Sequence, residues 1–250
     1  MEGNGPDTTR QGRVALVTGA SGGIGQAIAR RLAAEEVALA LGYGRRAEPA
    51  QQLAAVITGA GGRAVAVGAD LRGAAGPREL VQAAQDALGP VDVLVCNAGL
   101  GRTQQLEEIS SDDFDEMLAV NLRAPFLLAQ QVIPAMREGG FGRILFVSSV
   151  AAFTGGIVGP HYAASKAGLH GLTHYLAARL AASGITVNAL APALITETAM
   201  LPGDPEELRR RVPVGRLGRP AEVADLAAAI LANPYLTSQV VSIDGGMYPR

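Results

Sequence analysis

Tyr162 and Lys166 lie four residues apart in Pro160-His161-Tyr162-Ala163-Ala164-Ser165-Lys166-Ala167-Gly168. On a helix that spacing puts both side chains on one face, about a turn apart. A free phenol has a pKa of about 10, and a neighbouring opposite charge typically moves such a value by about 1–3. The pair could therefore move a proton at a reacting oxygen. Tyr-x-x-x-Lys alone is a common accident, but Ser149 follows the strand-like run Arg143–Ser148, and its hydroxyl could donate to a substrate oxygen. Asn97-Ala98-Gly99 closes another apolar run. Asn121 stands inside a helical stretch, where an amide more often marks a hydrogen-bonding role than packing.

A second cluster, Thr18-Gly19-Ala20-Ser21-Gly22-Gly23-Ile24-Gly25, precedes the helical run Gln26–Ala34. Glycines let the backbone approach a pyrophosphate closely, and the N–H groups and dipole of the helix start attract its charge. An ordinary Gly-rich turn would look similar. No Lys follows the last glycine, which excludes a P-loop nucleotide hydrolase. The next strand-like run ends in Gly42-Tyr43-Gly44 with no carboxylate to accept from ribose hydroxyls, and Arg45 and Arg46 follow. An Arg fork there suits a 2′-phosphate, so NADP(H) is expected over NAD(H); solvated loop charges are the plainer alternative. Asp70, before Leu71, is placed to accept from an adenine amine or to cap the following turn.

These residues need a frame, and the hydrophobic pattern supplies one. Short apolar runs near Arg13–Thr18, Val37–Gly42, Arg63–Gly68, Val91–Cys96, Arg143–Ser148, Ile185–Leu190 and Gln239–Ile243 mostly alternate with Ala-rich helical stretches. This predicts one α/β domain over 13–250: a Rossmann-type, doubly wound parallel sheet of seven strands flanked by helices, with its ligand crevice at the strand carboxyl ends. A chain of 250 residues, 48% hydrophobic, can bury such a core. Its 21 basic and 23 acidic residues nearly cancel, pointing to a small-molecule partner rather than nucleic acid or a membrane surface. Residues 1–12 lack the pattern of a signal peptide and are expected to form a flexible tail, leaving the cytoplasm as the default compartment. Pro192–Pro220, rich in Pro, Gly and charge, could cover the substrate.

From Arg13 to Tyr248 the chain resembles the short-chain dehydrogenase/reductase family. The family's Thr-Gly-x-x-x-Gly-x-Gly is met by Thr18, Gly19, Gly23 and Gly25, and its Asn-Ala-Gly by Asn97, Ala98 and Gly99. Its catalytic tetrad falls on Asn121, Ser149, Tyr162 and Lys166. The resemblance implies that Tyr162 is the acid/base and Ser149 orients the carbonyl. It implies that Lys166 holds the ribose and lowers the Tyr162 pKa, and that Asn121 anchors a proton-relay water. It also implies cofactor contacts from Ser21, Gly22, Ile24, Tyr43, Leu71, Pro192, Ala193, Ile195 and Thr198, and a homotetramer.

The ending Val241-Ser242-Ile243-Asp244-Gly245-Gly246 looks closest to 3-oxoacyl carrier-protein reductases. Where those commonly carry basic residues, this chain has Glu138-Gly139-Gly140 and Ala181-Ala182-Ser183. Gly22 stands where NADP users often have a basic residue, Pro192-Ala193 where the family has Pro-Gly, and Ser238 where it usually has glycine. Thr198, rather than Thr196, is expected to meet the nicotinamide amide. Of the three histidines, His161 is expected to line the substrate pocket, and no ligand spacing suggests zinc. Cys96 is expected to be a buried small hydrophobe. The resulting expectation is an NADPH-dependent reductase of a 3-oxoacyl compound or related small ketone. An alcohol, sugar or polyol dehydrogenase and a non-catalytic cofactor-binding regulator are the alternatives.

Overall fold

The computed structural model describes residues 12–198, 201 and 203–248. The expected tail lies outside them apart from Gly12. Seven strands, β1 (Val14–Thr18), β2 (Ala38–Tyr43), β3 (Ala64–Gly68), β4 (Val93–Cys96), β5 (Gly142–Val147), β6 (Ile185–Pro192) and β7 (Val240–Ile243), form one sheet in the order β3-β2-β1-β4-β5-β6-β7. Every pairing is parallel. All seven expected strands are present. β6 runs two residues further than expected because Ala191 and Pro192 pair with Ser242 and Ile243.

Successive side chains of β1 enter opposite layers, as strand geometry requires. Ala15 and Val17 pack with α1 (Gly23–Ala33), α2 (Glu48–Gly59) and α9 (Pro220–Ala232). Val14 and Leu16 pack with α3 (Ala75–Leu88), α5 (Ala124–Glu138) and α7 (Pro160–Leu180). The central strands are therefore apolar on both faces. Between α4 (Ser111–Leu118) and α5 the chain makes a π-helical turn, Ala119–Arg123, that carries Asn121. A short α6 (Ala151–Thr154) precedes α7, and α8 (Pro205–Arg209) lies within the segment expected to cover the substrate. That segment is tied at its base by a bridge between Ile195 and Gly218.

The strand order reverses between β1 and β4, so chains leaving their carboxyl ends diverge and open a crevice. Thr18 closes its floor. The buried Thr18 hydroxyl accepts from the Asn97 N–H at 3.0 Å and the Ala98 N–H at 2.9 Å, and can donate to the Val95 carbonyl at 3.4 Å. Replacing it with a methyl of the same shape leaves the Ala98 N–H without an acceptor and the Asn97 N–H with only its 3.2 Å contact to the Val95 carbonyl. Thr18→Val is expected to lower unfolding free energy in urea by about 1–3 kcal/mol, and Thr18→Ser by much less.

Candidate active site

A cleft of about 1010 Å³ runs along the carboxyl edge of the sheet, lined by the glycine turn, the ends of β2 and β3, and the loop after β4. Gly19 has φ +68°, and a Cβ there would lie 2.8 Å from Asn97 Nδ2 and 2.9 Å from the Ala98 backbone. A Cβ on Gly25 would meet the Gly19 carbonyl. The turn is thus folded tightly against Asn97-Ala98, with the start of α1 directed at the cleft, an arrangement that favours anions. Ser21 Oγ donates to the Arg46 carbonyl at 2.5 Å, and Arg46 Nη2 donates back to the Ser21 carbonyl at 3.3 Å. This laces the two loops together and holds Arg46 at the rim, with exposed Arg45 beside it.

At the inner end, a Cβ on Gly99 would come within 3.3 Å of both Lys166 Nζ and Asn121 Oδ1. Lys166 is buried, its Nζ donates to the Val147 carbonyl at 2.8 Å, and it lies 5.8 Å from the Tyr162 ring centroid. Burial lowers its pKa to about 8. Burial also pushes the Tyr162 phenol above its ordinary value, and the hydrogen-bonded Ser149 hydroxyl only partly pulls it back. Ser149 Oγ accepts from the Ala151 N–H at 3.1 Å, which leaves its proton to be donated elsewhere.

Asn121 pins this arrangement. Its Oδ1 accepts from the Leu100 N–H at 2.7 Å, while Nδ2 donates to the Leu100 carbonyl at 2.9 Å and to Ser165 Oγ at 3.1 Å. Ser165 Oγ donates in turn to the Tyr162 carbonyl at 2.7 Å. The loop after β4, the π turn and the first turn of α7 are therefore fastened through one side chain.

Of the expected cofactor contacts, Gly19, Ser21, Gly22, Gly23, Ile24, Gly25, Tyr43, Arg45, Arg46, Asp70, Leu71, Asn97, Ala98, Gly99 and Thr198 line the cleft. Tyr162, Lys166, Pro192, Ala193 and Ile195 do not. Pro192 is buried in β6, while Ala193 and Ile195 line a separate cavity of about 160 Å³ on the other side of the segment. Thr196 turns its hydroxyl to the Gly218 carbonyl at 3.1 Å. His161, expected at the substrate pocket, is fully buried, packed near Gly159 and Gln104, and its ring nitrogens have no hydrogen-bond partner. Burial holds its pKa below the usual histidine value. Cys96 is buried, and its thiol pKa is pushed up by desolvation.

The short chain dehydrogenase family matches residues 13–208. The chain belongs to that family. A 3-oxoacyl-[acyl-carrier-protein] reductase of Synechocystis sp. is 36% identical over 243 residues, 96% of this chain and 98% of the relative. Nodulation protein G of Azospirillum brasilense is 37% identical, covering 94% of this chain and 98% of its own length. Among solved structures, a blue fluorescent protein from a metagenomic library, in complex with NADPH, superposes with a TM-score of 0.90 at 37% identity, covering 96% of this chain and all of that one.

In this short-chain dehydrogenase the cleft also takes in residues that sequence reasoning missed: Arg72, Glu116, Val120, Glu197 and Arg219. Arg72 alone had a legible signal, two residues beyond Asp70. The buried ammonium gives a direct test of the site's dielectric. The folded pKa of Lys166 lies below its unfolded value, so the folded state loses its proton first and stability rises with pH between about 8 and 10.5. Lys166→Met removes this dependence. Its stability relative to wild type is expected to be about 3 kcal/mol more favourable at pH 7 than at pH 10.5, read by denaturant unfolding at both.

Proposed function

We propose that this short-chain dehydrogenase reduces a 3-oxoacyl compound or related small ketone to the alcohol, using NADP(H), with Tyr162 as proton donor. The observation that carries this reading is the buried phenol, held above its ordinary pKa with Ser149 against it. A donor must hold its proton at neutral pH and release it only as negative charge develops on the substrate oxygen. Oxidation of an alcohol would need the phenolate, which burial disfavours.

The cleft fits a phosphorylated dinucleotide. Gly19 and Gly25 let the turn fold tightly against Asn97-Ala98 where any Cβ would collide, and the helix start suits a diphosphate. Arg45 and Arg46 offer charge-assisted bonds to a 2′-phosphate where no carboxylate stands to claim the ribose hydroxyls. Relatives that are carrier-protein reductases, and a structural neighbour in complex with NADPH, support the same choice. When bound, NADPH supplies the hydride.

The chain's own residues do the remainder. Ser149 donates to the substrate oxygen, orienting the carbonyl toward the phenol. Tyr162 donates the proton. Lys166, beside Gly99 at the inner end of the cleft, holds the cofactor's ribose, and Asn121 keeps the tyrosine helix in place through Ser165. Glu138-Gly139-Gly140 and Ala181-Ala182-Ser183 offer no basic patch for an acidic carrier protein, so the substrate is read as the ketone itself. Among the described residues no helix is long and apolar enough to cross a membrane, which supports a cytoplasmic place. The exposed Phe114 and Phe126 on α4 and α5 support a homotetramer.

NADPH consumption with a panel of β-ketoesters tests the proposal, and turnover restricted to NAD⁺ with alcohols would overturn it. Tyr162→Phe is expected to lower kcat by about 10²–10⁴-fold while leaving NADPH affinity unchanged. Replacing Arg45 and Arg46 together by Ala is expected to raise KM for NADPH by about 10–100-fold and to leave KM for NADH within about twofold.

A further inference from the structure

We infer that Arg72 sets which purine the cofactor cleft accepts, by masking Asp70 so that a base edge bearing either an amine or a carbonyl can be received. The inference rests on the reading of the cleft as a dinucleotide site.

Asp70 lies two residues beyond β3 at the cleft wall and is exposed there. A lone carboxylate only accepts hydrogen bonds, so it would welcome the exocyclic amine of adenine and repel a carbonyl in the same place. Asp70 is not alone. Arg72 Nε donates to Oδ1 at 2.9 Å and lies 3.1 Å from Oδ2, Nη2 donates to Oδ2 at 2.7 Å, and the Arg72 N–H donates to Oδ1 at 3.0 Å. Both carboxylate oxygens therefore already meet donors from one residue, and the pairing pulls the Asp70 pKa down to about 2.

The guanidinium is also restrained from its other side. Arg72 Nη1 lies 3.7 Å from Glu116 Oε1 on α4, and Arg123 Nη2 donates to the Arg72 carbonyl at 2.5 Å. Arg72 and Glu116 line the cleft together with Leu71 and Val120, whose side chains offer apolar surface to the flat faces of a base. The polar edge beside them thus carries carboxylate acceptors and N–H donors of a planar fork in one rigid unit. A purine amine can donate to the first. A purine carbonyl can accept from the second.

Titration calorimetry of the full chain with NADPH and with its hypoxanthine analogue, deamino-NADPH, tests this. Wild type is expected to bind the two within about threefold of each other. Arg72→Gln uncovers the carboxylate, and is expected to keep NADPH affinity within about threefold while weakening the analogue by about tenfold or more. Asp70→Asn combined with Arg72→Gln restores a mixed donor–acceptor edge and is expected to bring the ratio back within about threefold. Tenfold or greater discrimination by wild type, or an unchanged ratio in Arg72→Gln, would overturn the inference while leaving the dinucleotide reading intact. Binding of neither compound by wild type would overturn that reading, and the inference with it.

Discussion

Parallel strands leave their last amides and carbonyls without a full set of ladder partners, and where neighbours part company the backbone alone satisfies them only in part. In this protein that happens between β1 and β4, and a single hydroxyl, that of Thr18, takes up the Asn97 and Ala98 N–H groups. The same contact presses the glycine turn against the loop after β4, so closely that no side chain fits at Gly19 or Gly25. Cleft floor, turn and loop are one hydrogen-bonded unit. Gly99, next along the loop, sets the distance from that unit to Lys166 and Asn121.

Burial then does the electrostatic work. Tyr162 and Lys166 sit where water does not reach, and each is pushed toward its neutral form. A neutral phenol beside a hydroxyl can donate its proton as charge develops on a substrate oxygen. Geometry rather than proximity of charge keeps it aimed. Asn121, projecting from a π turn, grips Leu100 on one side and Ser165 on the other, and Ser165 grips the backbone of Tyr162.

The inner strands were legible because they are buried on both faces and so carry largely apolar runs, and the glycine turn because close backbone approach excludes other residues. Tyr162, Lys166 and Ser149 were legible through spacing. Pro192, Ala193 and Ile195 were not, since which way a residue faces just after a strand depends on the Ile195–Gly218 bridge, formed with a segment more than twenty positions away. His161, one step before Tyr162 on α7, is fully buried, and its ring nitrogens have no hydrogen-bond partner. The contact of Arg72 with Glu116 joins the loop after β3 to α4, and nothing in the local sequence announces a contact of that range.

The central claim is that the cleft delivers a hydride directly to a carbonyl carbon held between Ser149 and Tyr162. The most direct measurement is reduction of a β-ketoester in ordinary water with NADPH deuterated at the transferring C4 position, followed by mass and NMR analysis of the product. The account predicts one deuterium per molecule, bound to the carbinol carbon. Product carrying only solvent hydrogen at that carbon would contradict it.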